Sequence, residues 1–163
     1  MSFDNAGGSL SGPPQVPPPG RPRPVPPKPV PPRVAPSVLF QGEFLASPAA
    51  VAVARRAAVA ALGRHGLSGE LSDGHALVVS ELVTNAVTAS AGIPGAHFHL
   101  RLLRDGSGPV TVEVWDAAAT LPAARPLTFE DECGRGLHIV AALSSRYGTR
   151  PAPTGKWTYA TVR

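Results

Sequence analysis

The chain has 163 residues, 43% of them hydrophobic, with a net charge of +4 and a single cysteine, Cys133. That length suits one compact domain plus an appendage, and a lone cysteine excludes an internal disulfide framework and fits a reducing cytoplasm. The most apolar stretch, Ala49 to Ala54, is cut by Arg55 and Arg56, so no membrane span fits. The polar, glycine-rich first dozen residues carry no secretory pattern.

Residues 1–36 read as a disordered, proline-rich basic tail. Thirteen of the 20 prolines lie between Pro13 and Pro36, where proline removes the backbone donors of helix and sheet and little apolar surface is available to offset chain entropy. Polyproline II character is expected, extending ~3.1 Å per residue. Arg21, Arg23, Lys28 and Arg33 against Asp4 give this segment a net +3, leaving +1 for the rest. The high pI therefore describes the tail, and no direct nucleic-acid contact is expected of the folded part. Pro14-x-x-Pro17 and Pro26-x-x-Pro29 match the spacing that proline-recognition domains read, although a plain soluble spacer is the favoured reading.

Order is expected over residues 37–163. Val38, Phe40 and Phe44 alternate with polar positions, as in a short edge strand. Ser47-Pro48 is a helix start, a capping hydroxyl followed by proline at the first helical position, and the helix Ala49 to Leu62 stops at Gly63 and Gly66. Its Arg55-Arg56 pair reads as a solvated face. A second helical pattern runs from near Leu71 to about Ser90 and ends at Gly92-Ile93-Pro94-Gly95. Two strands in hairpin order follow. Phe98, Leu100 and Leu102 alternate with His97, His99 and Arg101; after the turn at Asp105-Gly106-Ser107-Gly108, Val110, Val112 and Val114 alternate with Thr111, Glu113 and Trp115.

Residues 117–133 lose periodicity and include Pro122, Arg125, Pro126 and Glu130-Asp131-Glu132; an unstructured stretch of this length in a small domain reads as a lid or as disorder. Gly134-Arg135-Gly136-Leu137 opens a third helix, expected to end near Tyr147-Gly148. Two closing strands, about Tyr147–Arg150 and Lys156–Val162, flank a turn. The order β-α-α-β-β-α-β-β predicts an α+β two-layer sandwich, three helices on one face of a mostly antiparallel, mixed sheet.

Three features can carry chemistry. On the second helix Glu81 and Asn85, four residues apart, stack at the edge of the apolar face formed by Val78, Val79, Leu82, Val83 and Ala86. Taken alone, such a pair is more often a solvated rim. Gly134-x-Gly136 at a helix start lets backbone N–H groups approach an oxyanion, where the helix dipole favours negative charge. The dinucleotide fingerprint fails, because Ile139 stands where a third small residue belongs. The phosphate-loop pattern also fails, because Trp157 follows Gly155-Lys156. Asp116, at the end of a strand, offers an acceptor to an exocyclic amine, although alone it reads as a turn former. His97 and His99 share a strand face with no evident third ligand for zinc. Cys133 reads as a small filler, His138 as a packed or surface residue, and Trp115 as a cover for the sheet.

Together, Glu81-x-x-x-Asn85, Asp116 and Gly134-Arg135-Gly136-Leu137 have the order and spacing of a known superfamily. Residues 37–163 resemble the gyrase, histidine-kinase and MutL ATPases (the Bergerat fold), and within them the compact bacterial anti-sigma-factor serine/threonine kinases. The resemblance implies ATP and Mg²⁺ as cofactors. It implies that Asn85 holds Mg²⁺, that Glu81 is the catalytic base and that Asp116 reads adenine. Gly134, Arg135, Gly136 and Leu137 would line the phosphates, with Thr158 near adenine and residues 117–133 as a lid in which Arg125 is a candidate for the γ-phosphate. The family's Asp-x-Gly-x-Gly stands here as Asp116-Ala117-Ala118-Ala119-Thr120, placing a methyl where a glycine is usual. The partner implied is a protein, a sigma factor or its antagonist, and a homodimer is compatible with it. The competing expectation is an adapter with weak or no catalysis that sequesters a transcription regulator. A histidine-kinase fragment is disfavoured, because no helix pair with a phospho-accepting histidine precedes the domain.

Overall fold

A computed structural model describes residues 35–118 and 134–163. The expected tail up to residue 34 and the lid positions 119–133, with Arg125 and Cys133, lie outside the described residues. Eight elements follow one another: β1 (Ser37–Leu45), α1 (Pro48–Arg64), α2 (Glu70–Ala89), β2 (His97–Arg104), β3 (Val110–Asp116), α3 (Gly134–Leu143), β4 (Ser144–Ala152) and β5 (Gly155–Val162). The strands form one sheet in the order β1-β2-β3-β5-β4. Every neighbouring pair is antiparallel, so the expected mixed character is not seen among the described strands.

Local chemistry accounts for the elements. Ser47 caps α1, its hydroxyl accepting from the Ala50 N–H at 3.3 Å, with proline at the first helical position. Ala50, Ala54, Ala58 and Ala61 are buried along one stripe of α1, and side chains this small let α1 lie close against α2. Val78, Val79, Leu82, Val83 and Ala86 form the buried face of α2. In the sheet, Phe98, Leu100 and Leu102 of β2 and Val110, Val112 and Val114 of β3 are buried under the helices as alternation requires. Full burial of each such side chain contributes about 1.5–3 kcal/mol.

The other face of the sheet is polar and aromatic. Glu113 accepts from Arg101 at 2.6 Å and from Arg150 at 2.9 Å. The Arg101 guanidinium lies 3.9 Å from the Trp157 ring centre, and His99 meets Trp115 edge to face at 5.0 Å. Trp115 thus covers the sheet, as expected.

The third helix is shorter than its sequence pattern implied. It ends at Leu143, and β4 starts at the next residue instead of near Tyr147. The Leu143 carbonyl accepts from the Arg163 N–H at 3.0 Å, so the last helical turn is tied to the end of β5. Pairing along β5 then satisfies the backbone of Tyr147 to Ala152, where Tyr147 and Thr149 favour a strand but Gly148, Pro151 and Ala152 do not, so the partner strand decides. Pro151 is tolerated there because β4 is an edge strand.

Candidate functional site

The directions of the helices decide which residues meet. Near the start of α2, a β-carbon built on Gly74 would lie 3.9 Å from Val162, and His75 borders a cavity with Val110 and Val162. The helix therefore begins beside the start of β3 and the end of β5. It runs in the direction of β3, so Glu81 and Asn85 are carried toward the end where Asp116 terminates β3 and Gly155 opens β5. The end of α3, by contrast, borders a cavity with Glu70 and Gly74 at the start of α2. Antiparallel to α2, it points its N-terminus back at the same end of the molecule. A β-carbon on Gly136 would collide with Glu81 Oε2 and sit 3.2 Å from its Cδ. The acidic side chain thus lies directly against the first turn of α3.

Each expected site residue can now be placed. Glu81 and Asn85 are half-buried, one turn apart on α2. Gly134, Arg135, Gly136 and Leu137 form the first turn of α3, where backbone N–H groups lack intrahelical partners. Leu137 and Gly136 are half-buried, and the Arg135 side chain lies outside the described residues. Thr158 is also half-buried. It pairs with Val114 across β3 and β5, on the helix-facing side between Lys156 and Ala160, while Trp157 and Tyr159 alternate to the open face. The structure brings Glu81 and the Gly136 turn into contact and sets Asn85 and Asp116 at the same end of the fold.

Asp116 is 2% exposed and follows Val112 and Val114 in phase, so its carboxylate faces the helix layer. Its Oδ1 accepts from Lys156 Nζ at 2.7 Å and from the Ala118 N–H at 3.0 Å. The same ammonium donates to the Ala118 carbonyl at 3.2 Å. Lys156, 6% exposed, is the cross-strand partner of Asp116. Backbone packing is as close: a β-carbon on Gly155, at φ +152°, would run into the Asp116 carbonyl oxygen and lie 3.1 Å from Ala117 Cα.

Sequence reasoning missed Lys156, weighing it only as part of a failed phosphate-loop pattern. A signal existed in that it opens the last strand, but its meeting with Asp116 depends on β3 and β5 being neighbours, and the region between them in the chain hides this. A cavity of about 370 Å³ bordered by His99, Arg101, Trp115 and Trp157 lies on the open face of the sheet, away from these residues.

The donor set fits a nucleoside triphosphate with its divalent cation. The Asn85 amide oxygen is a hard oxygen ligand of the kind Mg²⁺ takes alongside phosphate and water, and the Glu81 carboxylate one turn away is an acceptor for a hydroxyl proton. The absent side chain at Gly136 makes room for the Glu81 carboxylate, and the first-turn N–H groups of α3 are of the kind that bind an anion. Among the described residues, no helix is long and apolar enough to cross a membrane.

The family described as histidine kinase-like ATPase domain matches residues 44–162. No curated protein matches the chain. With every element from α1 to β5 inside that match, and with the carboxylate, the amide and the glycine turn gathered at one end, the chain belongs to the family of histidine kinase-like ATPase domains.

Proposed function

We propose that this ATP-binding domain is a protein serine/threonine kinase that acts as an anti-sigma factor in a partner-switching pathway. The observation that carries the reading is the packing of Glu81 against Gly136. It sets a carboxylate beside the helix start where the phosphates would lie, with Asn85 one turn further along α2.

In this reading Asp116 accepts from the adenine amine, and the N–H groups around Gly136 bind phosphate oxygens. Asn85 holds Mg²⁺, whose chemistry is to neutralise charge on the phosphates as it builds. Glu81 orients the serine or threonine hydroxyl of the partner protein and takes its proton. The hydroxyl oxygen bonds to the γ-phosphorus as the bond from phosphorus to the β–γ bridging oxygen breaks, and ADP leaves with that electron pair. A general base in this position accounts for about 10²–10⁴ of the rate.

A second reading has its own support. Ala118 is 7% exposed and bonded at both its N–H and its carbonyl, so the turn after Asp116 is tied down where the family has glycine. A domain with such a rigid base site suits an adapter that keeps ATP as a structural ligand while sequestering a transcription regulator. The deciding experiment is incubation with labelled ATP, Mg²⁺ and candidate antagonist proteins. The kinase reading expects phosphoserine or phosphothreonine that disappears in Glu81→Ala. Tight ATP binding with no transfer to any of them would favour the adapter.

A further inference from the structure

We propose that Lys156 is a specificity-determining residue of the base site, which reads a purine ring nitrogen while Asp116 reads the neighbouring amine. This rests on the ATP-binding reading above and adds a second recognition group to it.

The inference starts from an ammonium that is almost wholly buried and, among the described residues, has two of its three donors placed. The Lys156 side chain is 7% exposed, and an ammonium has three N–H donors. Two are placed, on Asp116 Oδ1 and on the Ala118 carbonyl. The third has no acceptor among the described residues. A buried donor is costly to leave unmade, so a ligand that supplies an acceptor to this ammonium gains by it.

The chemistry of that ligand follows from the pair. Asp116 offers only acceptors and Lys156 only donors, and their contacting atoms lie 2.7 Å apart. A ligand edge that matches them carries a donor beside an acceptor. In adenine the exocyclic amine is such a donor, flanked by the ring acceptors N1 and N7. A carboxylate alone would accept any amine in reach; the added cation demands the adjoining acceptor as well. Lys156 is held in place independently of any ligand, because it is the register partner of Asp116 and Gly155 keeps the two strand ends in backbone contact. A fixed donor costs no reorganisation when the base arrives. An analogue that lacks the acceptor leaves one N–H of the buried ammonium unmatched, while its bonds to Asp116 and Ala118 remain.

The test uses the full chain and titrates ATP, 1-deaza-ATP and 7-deaza-ATP, with calorimetric dissociation constants as the readout. The wild-type protein is expected to bind one of the two deaza analogues about tenfold or more weaker than ATP. Lys156→Met is expected to lose a similar factor for ATP and to bind that same analogue as the wild type does. Equal binding of all three nucleotides by the wild-type chain overturns the proposal without needing any variant to fold. So does a Lys156→Met protein that weakens equally toward ATP and both analogues, because a purely structural lysine would behave that way. A wild-type chain that binds no nucleotide at all removes the ATP reading and this inference together, whereas normal ATP binding with no deaza discrimination removes only the inference.

Discussion

The Glu81 carboxylate occupies the space over Gly136 that any side chain there would need. Two segments 55 positions apart therefore depend on each other atom by atom. Gly136→Ala should separate activity from stability. Alanine is favoured over glycine inside a helix by up to about 1 kcal/mol, so the fold is expected to hold or gain slightly. The added methyl pushes the Glu81 carboxylate aside, and a displacement near 1 Å at a reacting group can cost about a hundredfold. Phosphotransfer assays beside thermal denaturation should show the rate falling while the melting temperature does not. A rate equal to wild type would remove Glu81 from the reaction.

Glu81 and Asn85 should be separable from one another by what they do to binding. Glu81→Gln keeps the shape of the side chain and removes the base, so ATP affinity should stay within about twofold while transfer drops by about 10²–10⁴. Asn85→Ala should act on the Mg²⁺-dependent part of affinity instead. Calorimetric titration with and without Mg²⁺ measures the difference: wild type gains from the cation, and the Asn85 variant should gain little.

Much of this was legible in the chain, for reasons that differ by residue. Ser47-Pro48 named its helix start because capping is local chemistry, and Phe98 to Leu102 named a strand because alternation is local geometry. Glu81 and Asn85 were legible as a pair because i and i+4 share a helix face. The end of α3 was not, since Ala141 to Tyr147 suits a helix until β5 offers Tyr147 to Ala152 a pairing partner. Lys156 was hidden for the same reason: its bond to Asp116 spans 40 positions and exists only in the register of β3 with β5.

His75 should make stability depend on pH. The ring is 3% exposed, its Nδ1 is bonded to the Leu71 carbonyl, and its Nε2 is buried with no partner among the described residues. Desolvation lowers its pKa from the ordinary 6.5, outweighing the raising effect of the Leu71 bond. The unfolded chain then takes up the proton first as the pH falls. Stability from this residue is whole above about 6.5 and declines below it, down to the lower pKa of the folded state. Denaturant midpoints between pH 8 and pH 5 should show that fall in the wild type and a flatter profile in His75→Leu. Equal slopes in the two proteins would assign the acid sensitivity to other groups.

Gly155 and Gly106 separate backbone strain from backbone collision. Both have positive φ, +152° and +56°. A β-carbon on Gly106 meets nothing within 4 Å, so Gly106→Ala carries only the conformational cost, about 1 kcal/mol. On Gly155 the β-carbon would strike the Asp116 carbonyl and crowd Ala117 Cα, backbone atoms with no rotamer by which to yield. Strain there should cost about 1–3 kcal/mol, and the strand ends must part to relieve it. Because Lys156 follows directly and bonds Asp116, that movement should loosen the base site too. Gly155→Ala is thus expected to lose more melting temperature than Gly106→Ala, by several degrees, and to lose ATP affinity, which Gly106→Ala should keep. If both variants lose the same stability and neither loses ATP, the contact between Gly155 and Asp116 has no part in shaping the base site.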